Sequence, residues 1–200
     1  MHISEGVLSA PVLATGALLA AGGVALGLKK MDYERIPGVA VLSSAFFVAS
    51  LIHVPAGPSS VHLVLNGLVG ILLGWMAFPS ILVALSLHAV LFQFGGITSL
   101  GVNTVIMAAP AVVSFYLFGP LVRKGHIMGI LGGFGAGAAG IGIGSILVAT
   151  ALVSTGESFT GVAKLIVAAH LPVMVIEGII TAFCITFLKK VKPEILEVGK

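Results

Sequence analysis

The apolar run VLSAPVLATGALLAAGGVALGL, residues 7–28, indicates the fold class because it contains no charged side chain. An α-helix rises about 1.5 Å per residue, so a run of this length can cross the roughly 30 Å hydrocarbon core of a bilayer. No Lys or Arg precedes it, and it is longer than the apolar core of a typical signal peptide. We therefore expect a retained membrane-spanning helix rather than a cleaved leader.

The composition of the whole chain agrees with this interpretation. Hydrophobic residues make up 58% of the sequence and charged residues 8%, and the mean hydropathy is +1.19. Soluble domains carry about 25% charged residues. The net charge of +3 does not indicate nucleic-acid binding, since the basic residues form small clusters between apolar runs. The single Cys184 excludes a disulfide framework and a cysteine metal site.

Charges and turn residues divide the chain into seven apolar runs, at about 7–28, 36–52, 61–77, 80–94, 104–122, 127–153 and 162–188. We expect an all-α polytopic membrane protein with seven transmembrane helices in one bundle, forming a single domain over residues 1–200. In the sixth run Gly133 and Gly137 form a GxxxG pair, which predicts close helix packing. The GxGxxG match at 135–140 lies in the same apolar run and lacks the strand–helix context of a nucleotide site.

The basic clusters predict the orientation of the chain in the membrane. They follow the first, fifth and seventh runs: Lys29, Lys30, Arg35, Arg123, Lys124, Lys189, Lys190 and Lys192. With an odd number of spans these positions share one side, and cytoplasmic loops are the ones enriched in Lys and Arg. The sequence therefore predicts an external amino terminus and a cytoplasmic carboxyl terminus.

The first two residues, Met1 and His2, can form a chelator. The terminal amine, the backbone nitrogen of His2 and the His2 imidazole can close two fused rings on one ion. Nitrogen ligands in a plane suit Ni(II) or Cu(II) among divalent ions. The alternative is an ordinary polar terminus.

Two further histidines lie where such a terminus could meet them, at the predicted outer end of the bundle. His62, at the start of the third run, could supply a fourth nitrogen, or it could bond the neighbouring turn. His53 is the substitute ligand if His62 does not bind, although a helix-capping or turn role is the favoured one for it. Asn66 lies one helical turn after His62 and could orient it or a loop.

The fourth apolar run contains His88 and is followed by a Gly/Ser/Thr/Asn-rich loop at 95–103. Such a loop could close over a site as a lid, with Gln93, Thr98 and Asn103 supporting the ligands or gating access. It could equally be a plain connection between two helices. His88 is a candidate for the same supporting role, because a histidine inside a membrane bundle is a functional hypothesis by default.

His170 and Glu177 lie seven residues apart in the last run and so share a helix face. A carboxylate at this depth needs a partner or a proton. Glu177 could accept a hydrogen bond from a ligand histidine, act as a counter-charge, anchor the structure or carry a proton during transport.

The chain lacks the GxxxxGK[ST] sequence, so ATP hydrolysis by the P-loop route would need another polypeptide. An intramembrane enzyme using Ser60 and His88 is disfavoured because no nucleophile elbow is recognisable. We expect a transport component rather than an enzyme.

Four stretches spread over nearly the whole chain carry a resemblance: Met1-His2-Ile3 with Glu5-Gly6, HVPAGPSSVHLVLNG at 53–67, FGGITSLGVNT at 94–104 and AHLPVMVIEG at 169–178. Together they resemble the CbiM/NikM family, the membrane-embedded substrate-binding components of energy-coupling-factor nickel and cobalt transporters. The resemblance implies a seven-helix bundle with Met1 dipping into it. It also implies that the metal ligands are the Met1 amine, the His2 backbone nitrogen and imidazole, and His62.

The resemblance further implies a prokaryotic cell (inner) membrane and several partners. These are a transmembrane coupling subunit, two cytoplasmic ATPase subunits and, in many cases, a small auxiliary membrane subunit. Ni(II) or Co(II) would be transported cargo, with no resident cofactor, and cobalt import would supply cobalamin biosynthesis. A stand-alone secondary transporter that uses Glu177 as its ion-coupling site stays open as the alternative.

Overall fold

The computed structural model describes residues 2–56 and 59–197, and for residues 53–56, 59–62 and 197 it describes the backbone alone. Seven α-helices lie in this part of the chain: α1 Ala10–Lys29, α2 Ile36–Leu51, α3 Asn66–Leu73, α4 Ala77–Phe92, α5 Leu100–Arg123, α6 His126–Thr155 and α7 Thr160–Val191. Short 3₁₀ turns occupy Tyr33–Arg35, Gly74–Met76, Glu157–Phe159 and Pro193–Glu197. Strands β1 His53–Ala56 and β2 Ser59–His62 pair antiparallel, with His53 opposite His62.

The helices follow the apolar runs because lipid offers no partner for backbone hydrogen bonds, which a helix satisfies internally. Several side-chain hydroxyl groups in the helices also bond within their own helix, to a carbonyl four residues earlier. Thr15 donates to the Pro11 carbonyl at 2.8 Å, and Ser86 donates to the Leu82 carbonyl at 2.8 Å. Large apolar side chains such as Leu18, 75% exposed, point outward from the bundle. Such faces suit a lipid environment.

Six helical stretches in the described residues are long and apolar enough to cross a membrane: Ala10–Lys29, Tyr33–Leu51, Asn66–Phe92, Leu100–Arg123, His126–Thr155 and Glu157–Val191. The expected seven full-length spans are therefore not confirmed. The third predicted span, 61–77, is wrong as a continuous helix because its first residues belong to β2 and α3 has only 8 residues. Eight residues rise about 12 Å, less than half of a bilayer core.

The chain nevertheless turns back between α3 and α4. Gly70 lies against Ala111 and Gly74 against Phe115, so α3 runs in the same direction as α5. Helix α4 runs the opposite way to α1, since Pro79 lies near Gly27 and His88 lies near His2. Gly74 occupies the reversal with a φ of 56°, a conformation that glycine adopts without strain.

The glycines of α6 allow close packing with α7, as the GxxxG pair predicted. A Cβ at Gly133 would lie 2.9 Å from the Ala182 Cα, and one at Gly137 would overlap the backbone carbonyl of Glu177. Small residues permit this approach of the two backbones. The predicted close packing at this pair is confirmed, and the structure identifies α7 as the partner helix.

The basic clusters after α5 and α7 meet at one end of the bundle. Lys189 donates to the Lys124 carbonyl at 2.6 Å, and Arg123 Nε donates to the Leu196 carbonyl at 3.2 Å. Residues 2–5 and the loop between α4 and α5 lie at the opposite end, where α5 begins. The side of the membrane that each end faces stays a prediction.

Candidate metal centre at the amino terminus

The chain enters the bundle before α1 begins. Ile3 is buried, with 5% of its surface exposed. The Asn103 side chain binds both its backbone N–H and its backbone carbonyl. The Ile3 N–H donates to Asn103 Oδ1 at 2.9 Å, and Asn103 Nδ2 donates to the Ile3 carbonyl at 3.0 Å. The Ser99 hydroxyl donates to the same carbonyl at 2.9 Å. A segment this close to the terminus is therefore fixed by three hydrogen bonds.

The loop between α4 and α5 holds the next part of this segment. The Glu5 N–H donates to the Gly95 carbonyl at 2.8 Å, and Glu5 Oε2 accepts from the Ile97 N–H at 3.2 Å. Gly96 has a φ of 151°, and a Cβ there would overlap the Glu5 carboxylate. Glycine is thus required at this position both for conformation and for the close approach of Glu5. We call residues 2–5 with this loop the docked terminus.

His2 is brought against His88 by the docked terminus. The two rings meet edge to face, with centroids 5.4 Å apart and an interplanar angle of 80°. The His2 side chain also lies close to Gly95, where a Cβ would come within 3.6 Å of His2 Cδ2. The structure therefore places two of the candidate histidines in direct contact.

His88 is completely buried and fixed by α2. Its Nε2 lies 3.0 Å from the Phe47 carbonyl oxygen and 3.3 Å from Ser50 Oγ. The Phe47 ring stacks on the imidazole with centroids 4.7 Å apart. The ring is held by one edge and one face, so its orientation toward His2 is set.

Glu177 caps the start of α3 from α7. Its carboxylate is completely buried and accepts from the backbone N–H groups of Val64 and Leu65. Leu65 has a φ of 53°, in the left-handed region that non-glycine residues rarely adopt. The cap therefore fixes a strained backbone three residues after His62, where the first N–H groups of a helix need an acceptor.

Asn66 and His170 hold helix contacts elsewhere in the bundle. Asn66 is buried, and its Nδ2 donates to the Gly140 carbonyl of α6 at 3.2 Å. His170 is buried in α7, and its Nδ1 donates to the Ile166 carbonyl at 2.7 Å. No described contact joins either side chain to His2.

The candidate lid residues separate into two groups. Asn103 binds the docked terminus directly, whereas Gln93 and Thr98 are exposed. Gln93 ends α4 with a φ of 57°. Met1 and the side chains of His53 and His62 lie outside the described residues. Among the side chains that are described, no group of three His, Cys, Asp or Glu residues could hold a metal ion.

Sequence reasoning missed four residues that support this site: Glu5, Phe47, Ser50 and Ser99. Ser99 could have been found from its spacing, because it lies four residues before Asn103, a candidate that was named. In the structure Asn103 Nδ2 donates to Ser99 Oγ at 3.2 Å. Phe47 and Ser50 gave no signal, since an apolar run does not show which of its residues will face a histidine on another helix.

Comparisons with known proteins agree with this architecture. A family described as the cobalt uptake substrate-specific transmembrane region, CbiM, matches residues 2–195. A Haemophilus influenzae protein described as a metal transport protein is 43% identical, over 98% of this chain and 97% of its own. The cobalt transport protein CbiM of Sorangium cellulosum is 32% identical, over 98% and 95%.

Solved structures show the same fold. A crystal structure of a transition metal transporter aligns with a TM-score of 0.75 at 25% identity, over 96% of this chain and 93% of that one. A truncated transition metal transporter gives 0.74 at 24% identity, over 95% and 99%. The family match and these relatives cover the helices, the docked terminus and the hairpin between α2 and α3, and the chain belongs to the CbiM family of metal transport components.

Proposed function

We propose that this chain captures Ni(II) or Co(II) as the substrate-binding component of an ATP-driven energy-coupling-factor importer. The ligands are the Met1 amine, the His2 backbone nitrogen and imidazole, and the His62 imidazole. The docked terminus carries this proposal, because a chelator made from the first residues must be held inside the protein to capture an ion selectively.

The contacts of the docked terminus suit this role. Asn103, Ser99 and Gly95 bind the backbone of residues 3 and 5, so these contacts hold the segment in the bundle without using the His2 side chain. Named relatives supply the class of cargo: they include a cobalt transport protein CbiM and a fused nickel transport protein NikMN.

The donor set favours Ni(II) over Co(II) because four nitrogens in a plane match the geometry that Ni(II) prefers. Cu(II) would bind more tightly by intrinsic affinity, so its exclusion depends on availability or kinetics. Binding releases protons from the amine, the imidazoles and the amide, and affinity therefore rises with pH.

The Glu177 contacts favour a structural role for this carboxylate over the stand-alone transporter. Both of its oxygens accept backbone N–H groups at the start of α3. A proton carried by Glu177 would weaken this cap, because a neutral carboxyl accepts more weakly than a carboxylate.

Transport by reconstituted protein tests the proposal. Proteoliposomes carrying this chain with a coupling subunit and two ATPases should accumulate Ni(II) or Co(II) when ATP is supplied, and liposomes carrying this chain alone should not. Sustained uptake by the chain alone, driven by a proton gradient and lost in Glu177→Gln, would overturn the proposal in favour of the secondary transporter.

A further inference from the structure

We propose that His88 is a positioning residue for the metal site, whose Nδ1 accepts a hydrogen bond from Nε2–H of the metal-bound His2 ring. This inference rests on the proposed function and assigns a partner to a ligand of that site.

The hydrogen bonds of His88 define its tautomer. The Phe47 carbonyl 3.0 Å from Nε2 can only accept, so Nε2 carries the proton. Nδ1 is then left with a lone pair. This atom is buried, and it has no hydrogen-bond partner in the described part of the structure. An acceptor without a partner in the interior is costly unless a donor reaches it.

The chelate supplies such a donor. The His2 amide nitrogen and Nδ1 of the same ring close a six-membered ring on an ion, whereas Nε2 lies on the far side of the imidazole and cannot. A His2 that binds in this way keeps a proton on Nε2. The His2 ring centroid lies 5.4 Å from that of His88 and the two rings meet edge to face, so the donor and the acceptor of this bond belong to neighbouring rings.

The result is a chain of hydrogen bonds from the metal ligand to α2. His2 donates to His88, and His88 donates to the Phe47 carbonyl, with Ser50 Oγ also within 3.3 Å. Ligand histidines generally donate their second ring N–H to an acceptor that sets ring orientation and basicity, and loss of that acceptor lowers metal affinity about 10- to 100-fold.

Two isosteres of His88 separate this role from a purely structural one. In His88→Asn the side-chain oxygen replaces Nδ1, so the acceptor for His2 is kept and the bond to Phe47 is lost. In His88→Gln the amide nitrogen replaces Nε2, so the bond to Phe47 is kept and the acceptor is lost. If His88 positions His2, His88→Gln should weaken metal binding more than His88→Asn does. If His88 is only structural, His88→Asn should weaken metal binding more than His88→Gln does.

The test is a titration with Ni(II) of the full chain, carrying its native amino terminus, together with the Ni(II) d–d absorption band and the unfolding temperature without metal. We expect His88→Gln to bind about 10- to 100-fold more weakly with its d–d band and unfolding temperature unchanged. His88→Asn should unfold at a lower temperature and bind within about threefold of the original chain.

Three results would overturn the assignment. They are a His88→Gln variant that binds like the original chain, a His88→Asn variant that binds more weakly than His88→Gln, or a d–d band that moves in His88→Gln and so makes His88 a direct ligand. Failure of the proposed function itself is distinct, because the unsubstituted chain would then not bind Ni(II).

Discussion

Replacing Asn103 with Leu should release the docked terminus while keeping the volume of the side chain. The substitution removes both hydrogen bonds to Ile3, at 2.9 and 3.0 Å. The Ile3 carbonyl keeps its bond from Ser99, whereas the Ile3 N–H is left buried without its acceptor. An unsatisfied buried N–H costs about 1–3 kcal/mol.

This cost destabilises the docked state relative to the undocked state, because in the undocked state the Ile3 N–H bonds to water. Only the docked state holds the ion, so the apparent Kd for Ni(II) should rise as docking weakens. The cost of about 1–3 kcal/mol corresponds to a rise of up to about 5- to 150-fold. Ser99→Ala removes one bond to the same carbonyl and should cost about 0.5–1.5 kcal/mol. The two effects should not add, because the side chains of Ser99 and Asn103 touch.

The assay is titration of the purified, folded variants with Ni(II). Thr98→Ala is the matched control, because Thr98 lies in the same loop and is exposed. We expect its Kd to stay within about twofold of the unsubstituted chain, as for surface substitutions away from structural features. An Asn103→Leu variant that is folded and binds as tightly as Thr98→Ala would refute the link between docking and capture.

Three further predictions follow from single contacts. Glu177→Ala leaves the buried Val64 N–H and the partly buried Leu65 N–H without an acceptor, and should lower the free energy of unfolding by about 2–5 kcal/mol. Chemical denaturation in detergent measures this loss, and an unchanged free energy of unfolding would show that the carboxylate is dispensable. Gly96→Ala should weaken Ni(II) binding without lowering the unfolding temperature by more than a few degrees, because the new methyl group overlaps the Glu5 carboxylate; unchanged binding would contradict the loop's role. Gly70→Ala should destabilise the bundle by about 1–3 kcal/mol, because its Cβ would overlap the Ala111 carbonyl of α5; a thermal melt equal to that of the unsubstituted protein would show that α3 can shift.

Most helix bounds could be predicted because apolar runs end at charges or turn residues. The run at 127–153 became α6 His126–Thr155, and the run at 36–52 became α2 Ile36–Leu51. The chain from β2 into α3 could not be predicted in this way. A short apolar run such as VHLVL, residues 61–65, has the same pattern in a strand and in a buried helix. The left-handed Leu65 gave no signal, because glycine or asparagine usually marks that conformation.

The candidate site could be predicted in part. His2, His88 and Asn103 were all named from sequence, and the structure places them around the docked terminus. Their contacts follow from packing between elements far apart in sequence, which no local pattern encodes. Phe47 illustrates this, since its carbonyl and ring both contact His88 although the two residues lie on different helices.

A titration of two forms of the chain with Ni(II) and Co(II) shows whether the terminal amine is a metal ligand. One form begins at Met1, with a free amine verified by mass, and the other carries an acetyl group on the Met1 amine. We predict that the acetylated form binds more than about 100-fold more weakly, because the acetyl group turns the amine into an amide, supplies no new terminal amine and so breaks the fused chelate. Equal affinity of the two forms would show that the terminal amine is not a ligand.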